Sequence, residues 1–164
     1  LVPLHKTIAN INIDGIASFD EFNSVIGIGS EYSTLKVFLE ETAKERNLVV
    51  TTIPPEFSVF NAFAKSDQHS FARAGIPSML ISDGLDYKNL SREEGIKKFI
   101  DYSINIYHSP FDDLNQDINY GAVAQHVEII SAVLKKLAND DVEPEWFNNS
   151  PYIDFRKYSM ETKK

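Results

Sequence analysis

Segments with the pattern of β-strands alternate with segments of helical pattern along this chain. The strand-like segments lie at residues 8–13, 25–29, 48–52 and 78–81. Apolar residues recur three and four positions apart in the two clearest helical segments, at residues 33–46 and 120–138. These two periodicities are typical of strands and helices respectively. Their order predicts an α/β fold, a three-layer sandwich in which a mixed β-sheet lies between helices.

Capping residues predict where several helices begin and end. Ser30 and Ser91 each precede a helical pattern with acidic residues in its first turn, so both are predicted N-caps. Ser66 or Asp67 is predicted to cap a short helix that stops at Gly75.

The composition excludes several classes of protein. The 164 residues carry a net charge of −8, and no stripe of Lys and Arg is available to neutralise the phosphates of a nucleic acid. The absence of cysteine excludes disulfides and thiolate zinc sites, and no apolar run is long enough to span a membrane. One domain is expected over residues 1–142, followed at 143–164 by an irregular aromatic tail that packs on it and has a loose end.

The segment at residues 107–113, Tyr-His-Ser-Pro-Phe-Asp-Asp, joins an imidazole to two carboxylates just before the long helical pattern. In such a loop His108 can coordinate zinc through one ring nitrogen while a neighbouring group holds the other. A surface histidine or a hydrogen-bonded turn residue is the alternative. His126 is expected to be a packed or half-exposed helix residue and His5 a lone imidazole, so neither is expected to bind a metal.

Asp14 and the segment at residues 66–70 are the other candidate site residues. Asp14 ends the first predicted strand, where an open α/β sheet presents functional groups, although it could also begin a turn with Gly15. Ser66-Asp67-Gln68-His69-Ser70 lies at a helix N-terminus, whose free backbone N–H groups favour an anion. Residues this close in sequence do not reach the geometry of a Ser-His-Asp triad, and simple capping with a partly buried His69 is the alternative.

Four separated motifs together resemble peptidase family M28, a family of zinc aminopeptidases. They are Lys-Thr-Ile-Ala-Asn-Ile-Asn-Ile-Asp-Gly at 6–15, Ser-Asp-Gln-His-Ser-Phe at 66–71 with Ala-Gly-Ile-Pro at 74–77, Tyr-His-Ser-Pro-Phe-Asp-Asp-Leu at 107–114, and Ala-Asn at 138–139 followed by Pro-Glu-Trp at 144–146. No single motif is decisive for the family. The four motifs together, in the order in which the family has them, are specific for it. The chain departs from the pattern at Gln68, where the family often has His directly after the Asp.

The resemblance implies a zinc-exopeptidase-like fold and a site for two zinc ions. By motif position, Asp14 is the terminal ligand of one zinc ion and His108 is that of the other. The residues implied to lie near the amino-terminal residue of a peptide substrate are Ser66, Asp67, Gln68, His69 and Tyr107. Two zinc ions in such a site activate water near neutral pH. We also expect Asp14 and His108 to lie close together at the carboxyl edge of the sheet.

The same resemblance implies that part of the site lies outside this sequence. The first His ligand of the family, its bridging Asp and its adjacent Glu pair, which supplies the general base, have no counterpart before Asp14. The chain is therefore expected to be the C-terminal half of a catalytic domain, truncated at its N-terminal side and completed by the missing N-terminal half. Alone it is expected to be inactive, to lack a catalytic residue and to hold zinc weakly or not at all. The family alone implies a secreted or periplasmic location.

Two other functions stay open at this point. One alternative is a glutaminyl-cyclase-like enzyme, which has a related fold but uses a single zinc ion. The metal ligands encoded upstream of this sequence would distinguish it from a two-zinc peptidase. A non-catalytic peptidase-like binding domain is the second alternative, as in receptor ectodomains that share the fold and have lost ligands. The presence of both Asp14 and His108 argues against this second alternative.

Overall fold

The computed structural model describes residues 2–15 and 19–161. The strands of these residues are β1 (Asn10–Asn12), β2 (Ser24–Ile28), β3 (Val49–Thr51) and β4 (Ser78–Asp83). The α-helices are α1 (Leu35–Glu45), α2 (Gln68–Arg73), α3 (Arg92–Asp101), α4 (Tyr120–Asn139) and α5 (Ile153–Glu161). Short 3₁₀ turns lie at Leu4–Lys6, Ser30–Tyr32 and Pro55–Phe60, and a π-helical turn at Tyr102–Ile106 continues α3. None of the helices in the described ranges has the length and apolar character needed to cross a membrane.

The strands form one mixed sheet in the order β1-β4-β2-β3. β1 runs parallel to β4, with Asn10 opposite Ser78, and β2 runs parallel to β3. β2 and β4 are antiparallel, with Val25 opposite Asp83. Because β1 and β4 are parallel, their carboxyl ends meet at the same edge of the sheet. Asp14 follows β1 at that edge, which is the place where open α/β sheets present ligand-binding groups.

Buried clusters on both faces of the sheet give the domain its three layers. On one face α1 and α4 pack against β2 and β4 through Val25, Leu39, Met79, Ile81 and Val133, among others. On the opposite face the buried residues Phe63, Ala72 and Trp146 form a second cluster. Successive strand residues point to opposite faces, and a fold covered on both sides therefore needs apolar residues at most strand positions. The mixed sheet between helices confirms the predicted α/β class.

Two of the predicted helix boundaries are confirmed, the start of α3 at Ser91 and the extent of the short helix α2. The Ser91 hydroxyl accepts a hydrogen bond from the backbone N–H of Glu94, and the Glu94 carboxylate accepts one from the backbone N–H of Ser91. This reciprocal arrangement satisfies two N–H groups at the start of α3. The short helix α2 lies between Asp67 and Gly75, and Gly75 has a left-handed φ of 86° that ends it.

The predicted N-cap role of Ser30 is wrong. Ser30 begins a 3₁₀ turn, and α1 starts only at Leu35, after Thr34 in the N-cap position. The reason is tertiary: Ser33 between them is extended and forms an isolated β-bridge with Trp146. A long-range backbone pairing therefore delays the helix by several residues.

The expectation of an irregular segment after residue 140 is also wrong in part. Residues 153–161 form α5, in which Lys157 pairs with the Asp154 carboxylate at 2.7 Å one turn away. The Arg156 guanidinium donates to the carbonyl oxygens of Thr7 and Leu4, at 3.2 and 3.3 Å. These tertiary contacts hold a helix whose apolar periodicity is weak. The loose end was expected over about the last six residues, of which 159–161 lie in α5 and 162–164 lie outside the described residues.

Candidate active site

Asp14 lies at the carboxyl edge of the sheet with an exposed side chain. The Ser66 hydroxyl donates a hydrogen bond to one of its carboxylate oxygens, with Oγ 2.8 Å from Oδ2. Ser66 belongs to the loop before α2, so two segments far apart in sequence meet here. No hydrogen bond within the described ranges reaches the other oxygen, Oδ1. A carboxylate accepts through both oxygens, so Oδ1 of this exposed side chain is an acceptor without a donor among the described residues.

Asn12 and Gln68 extend this contact into the interior. The amide nitrogen of Asn12 donates to Ser66 Oγ and to Gln68 Oε1, both at 2.9 Å. The amide nitrogen of Gln68 donates in turn to two backbone carbonyls of the loop before α2, at 3.1 and 3.3 Å. The Gln68 side chain is fully buried. Asp14, Ser66, Asn12 and Gln68 thus form a continuous hydrogen-bonded group, the Asp14 cluster.

Asp67 and His69, which flank Gln68, face different surroundings. Asp67 is exposed in the N-cap position of α2, and its side chain makes no capping hydrogen bond. His69 is half buried, and its ring makes edge contacts with Phe63 at 5.8 Å and Tyr152 at 6.1 Å between centroids. His69 therefore packs against the aromatic residues of the second core cluster. Of the predicted substrate-binding segment, only Ser66 and Gln68 join Asp14 in one hydrogen-bonded group.

His108 lies in the loop between the π-helical turn and α4. Its φ is 56°, a left-handed value that is uncommon for a residue with a side chain. Its imidazole stacks on the ring of Tyr107, with centroids 3.7 Å apart and planes at 23°. Both side chains are exposed. Left-handed backbone and π-helical turns both concentrate at functional sites, so the geometry of this loop supports a specific role for it.

Ser109 and Tyr102 hold the His108 loop in place. The Ser109 hydroxyl donates to the last carbonyl of the π-helical turn at 2.6 Å and accepts from the backbone N–H of Phe111 at 3.1 Å. The Tyr102 ring contacts the Tyr107 ring at 5.9 Å. Partial burial and the nearby Asp112 carboxylate, to which its hydroxyl hydrogen-bonds, raise the pKa of Tyr102. Tyr102 therefore acts as a neutral hydrogen-bond donor.

His126, Tyr87 and Asp83 are ionisable residues that are buried or half buried and hydrogen-bonded within the domain. His126 is 2% exposed, and its Nε2 donates to the carbonyl oxygen of Ile81 at 2.7 Å, as expected for a packed helix residue. The Tyr87 hydroxyl donates to the carboxylate of Asp83 at the end of β4, at 2.9 Å. Burial raises the pKa of Asp83, and burial together with the Asp83 charge raises the pKa of Tyr87. These contacts join the sheet to its connecting loop and to α4.

The donor chemistry of Asp14 and His108 suits zinc, which binds carboxylate oxygen and imidazole nitrogen. A catalytic zinc ion usually has three protein ligands. Within residues 2–15 and 19–161, no group of three His, Asp or Glu side chains is placed to hold a metal ion. No hydrogen bond joins Asp14 to His108 in these ranges either, and their proximity stays a prediction. The two residues fit as separate contributors to a zinc site, and they do not complete one.

Sequence reasoning missed two residues of the candidate site, Asn12 at the end of β1 and Ser109 in the His108 loop. Asn12 lies two positions before Asp14, and strand residues two apart share a face, so the period of two could have identified it. Ser109 directly precedes Pro110. In turns of this kind a serine hydroxyl often forms a hydrogen bond with the backbone of the same turn. Gln68 belongs to the predicted substrate-binding segment, but nothing in the sequence indicates that its side chain is completely buried.

Comparison with protein families agrees with the first three sequence motifs, and the fourth, at 138–146, lies beyond the matched range. The sequence model described as peptidase family M28 matches residues 2–134. This range contains the whole sheet and every candidate residue, from Asp14 to His108. No curated protein and no solved structure matches the chain significantly. Because the matched range covers most of the 164 residues, the chain belongs to peptidase family M28.

Proposed function

We propose that this chain contributes part of the active site of a zinc-dependent aminopeptidase, which removes amino-terminal residues from peptides. Family membership indicates a peptidase. The observation that carries the finer proposal is the placement of Asp14 at the carboxyl edge of the sheet. Its carboxylate is exposed, and Ser66 holds one of its oxygens, whereas no hydrogen bond from the described residues reaches the other.

Asp14 and His108 each supply one ligand to a two-zinc site in this proposal. Zinc, when bound, activates water and polarises the peptide carbonyl. The residues of this chain orient the ligands: Ser66 holds the Asp14 carboxylate, and the ring of Tyr107 supports the His108 imidazole. The exposed carboxylate of Asp67 is available to pair with the ammonium group of a substrate.

The remaining ligands and the general base come, in this proposal, from another part of the same catalytic domain. β1 pairs with β4 on one side, and no strand of the described residues pairs with its other side. An unpaired strand edge presents a row of free N–H and C=O groups with which another strand can pair. The free edge of β1 is therefore a suitable place for the other half of the domain to continue the sheet, directly beside Asp14.

The test compares the 164-residue chain with the full-length product of its gene in the hydrolysis of aminoacyl anilides, with and without added zinc. We expect no turnover by the chain alone, because it provides one ligand per zinc ion and no general base, and we expect turnover by the full-length protein. In the latter, Asp14→Ala and His108→Ala should each remove most of the activity, while circular dichroism shows an intact fold. His5→Ala is the control and should retain activity.

Two results would contradict this proposal. One is zinc-dependent cleavage by the 164-residue chain alone. The other is a full-length enzyme that keeps its activity after the loss of the His108 imidazole. His126→Ala is unsuited as a control, because the buried His126 ring bonds to the carbonyl of Ile81 and its loss affects folding.

A further inference from the structure

Gln68 is completely buried, and its side-chain amide is fully engaged inside the protein. Its Nε2 donates to the carbonyl oxygens of Phe63 and Ala62, at 3.1 and 3.3 Å. A side-chain amide has two N–H donors, and both are used by these two acceptors. The opposite orientation of the amide would place its oxygen against two carbonyls. Gln68 Oε1 must therefore face Asn12, as a fixed acceptor.

The orientation of Gln68 determines the direction of the next hydrogen bonds. Gln68 Oε1 accepts from Asn12 Nδ2 at 2.9 Å, so Asn12 presents its N–H groups on this side. The same Nδ2 lies 2.9 Å from Ser66 Oγ, which must therefore accept there. A serine hydroxyl has one proton. With its oxygen accepting from Asn12, that proton is directed to Asp14, 2.8 Å away.

We propose that Gln68 and Asn12 are positioning residues for Asp14. The loop carbonyls orient Gln68, Gln68 orients Asn12, Asn12 orients the Ser66 hydroxyl, and Ser66 holds one oxygen of the carboxylate. This arrangement fixes Oδ2 of the exposed Asp14 carboxylate as the acceptor of the Ser66 proton. The functional meaning of this chain of bonds rests on the proposed role of Asp14 as a zinc ligand, since hydrogen bonds to a ligand fix its orientation and tune its affinity for the metal.

Gln125 provides a matched control for a glutamine with a purely structural role. Its side chain bonds only to the backbone of Phe22, accepting from the N–H at 3.0 Å and donating to the carbonyl at 2.8 Å. These two bonds attach α4 to the segment before β2. Gln125 thus makes backbone contacts like those of Gln68, but it has no connection to Asp14.

The experiment measures the ¹³C chemical shift of the Asp14 side-chain carboxyl in the labelled, zinc-free 164-residue chain. Ser66→Ala removes the direct bond and sets the direction of the change. We expect Asn12→Leu and Gln68→Met to shift this signal in the same direction, although neither residue touches Asp14. Gln125→Met should lower the thermal midpoint but leave the Asp14 signal in place.

An Asp14 signal that stays at its wild-type position in folded Asn12→Leu protein, while Ser66→Ala moves it, would overturn the proposal. The half-buried Asn12 is the more tolerant site, so this variant keeps the test decisive if Gln68→Met does not fold. In the full-length enzyme, Asn12→Leu should weaken zinc binding about 10- to 100-fold. A shifted signal with unchanged zinc affinity would refute the ligand role of Asp14 and leave the positioning role intact.

Discussion

The indole N–H of Trp146 donates a hydrogen bond to the backbone carbonyl of Gly75, with Nε1 3.0 Å from the oxygen. Trp146 is 6% exposed and belongs to the second core cluster. Gly75 lies in the turn between α2 and β4, so this bond attaches the segment after α4 to the turn that leads into a central strand. Tyr152, whose ring is 5.2 Å from that of Trp146, continues the contact toward α5.

The Trp146 bond predicts a measurable loss of stability without loss of the fold. Trp146→Phe keeps an aromatic ring but leaves the Gly75 carbonyl without its donor. We expect the free energy of unfolding to fall by about 1–3 kcal/mol, the usual penalty for a buried unsatisfied polar group. Chemical denaturation followed by circular dichroism measures it. An unchanged midpoint would show that water replaces the indole N–H at no cost.

Gly75 should tolerate no side chain. A Cβ at this position would lie 2.6 Å from the backbone nitrogen of Arg156 in α5, and the φ of 86° disfavours any L residue. We expect Gly75→Ala to cost about 2–5 kcal/mol, combining left-handed strain with overpacking. Gly15→Ala is the control, because Gly15 has φ 62° but no atom of the described residues within 4 Å of an added Cβ, and only the strain of about 1 kcal/mol applies. Equal losses in the two variants would exclude the proposed contact with α5.

Asp20 makes part of the stability dependent on pH. Burial acts to raise its pKa, but hydrogen bonds from the backbone and side chain of Asn89, at 2.7 and 3.1 Å, outweigh burial and lower it below 3.8. When folding lowers the pKa of a carboxyl group, its ionisation stabilises the fold at pH values above the pKa that the group has in the unfolded chain. This stabilisation is lost as the pH falls through the pKa of the group in the folded protein. Asp20→Asn should therefore cost about 1–3 kcal/mol at pH 7 and progressively less below about pH 4.

Denaturant unfolding at a series of pH values tests the Asp20 prediction. Asp117→Asn, which alters an exposed carboxylate, is the control and should change the free energy of unfolding by no more than about 0.5 kcal/mol. A cost of Asp20→Asn that is equal at pH 7 and pH 3 would contradict the assignment.

His126 should prove to be a structural residue. His126→Leu fills a similar volume but leaves the Ile81 carbonyl without a donor, so we expect a loss of about 1–3 kcal/mol in the free energy of unfolding. Val127→Ala on the exposed side of the same helix should cost no more than about 0.5 kcal/mol. A His126→Leu variant as stable as the wild type would show that the carbonyl finds another donor.

The strands and helices with regular apolar spacing could be predicted, because the burial of one face of an element requires apolar residues at that spacing. The long helix expected at 120–138 is found at Tyr120–Asn139, and the strand expected at 78–81 is found at Ser78–Asp83. The first strand was expected at 8–13, but only Asn10–Asn12 pair, and β4 is the one strand of the described residues that pairs with β1. The π-helical turn and α5 were not predicted, because tertiary contacts determine them rather than local apolar spacing.

The candidate site was predictable as a set of separate motifs, but not as a geometry. Asp14 and Ser66 were both identified from the sequence, yet their hydrogen bond depends on how the loop before α2 crosses to the end of β1. The left-handed backbone of His108 has no sequence signal of the kind that glycine gives. The contacts of Gln68 with the loop carbonyls likewise depend on a loop path that no local pattern specifies.

The strand order has a consequence for how this chain folds. Within the part of the chain that the structure describes, β1 pairs with β4 alone, although β2 and β3 lie between them in sequence. Contacts between residues far apart in the chain form slowly, because a long loop must close first. We therefore expect β1 to dock last and to open first, with faster amide hydrogen exchange at Ile11 than at Val25 in β2. The segment that bears Asp14 would then acquire its order only after the rest of the sheet is complete.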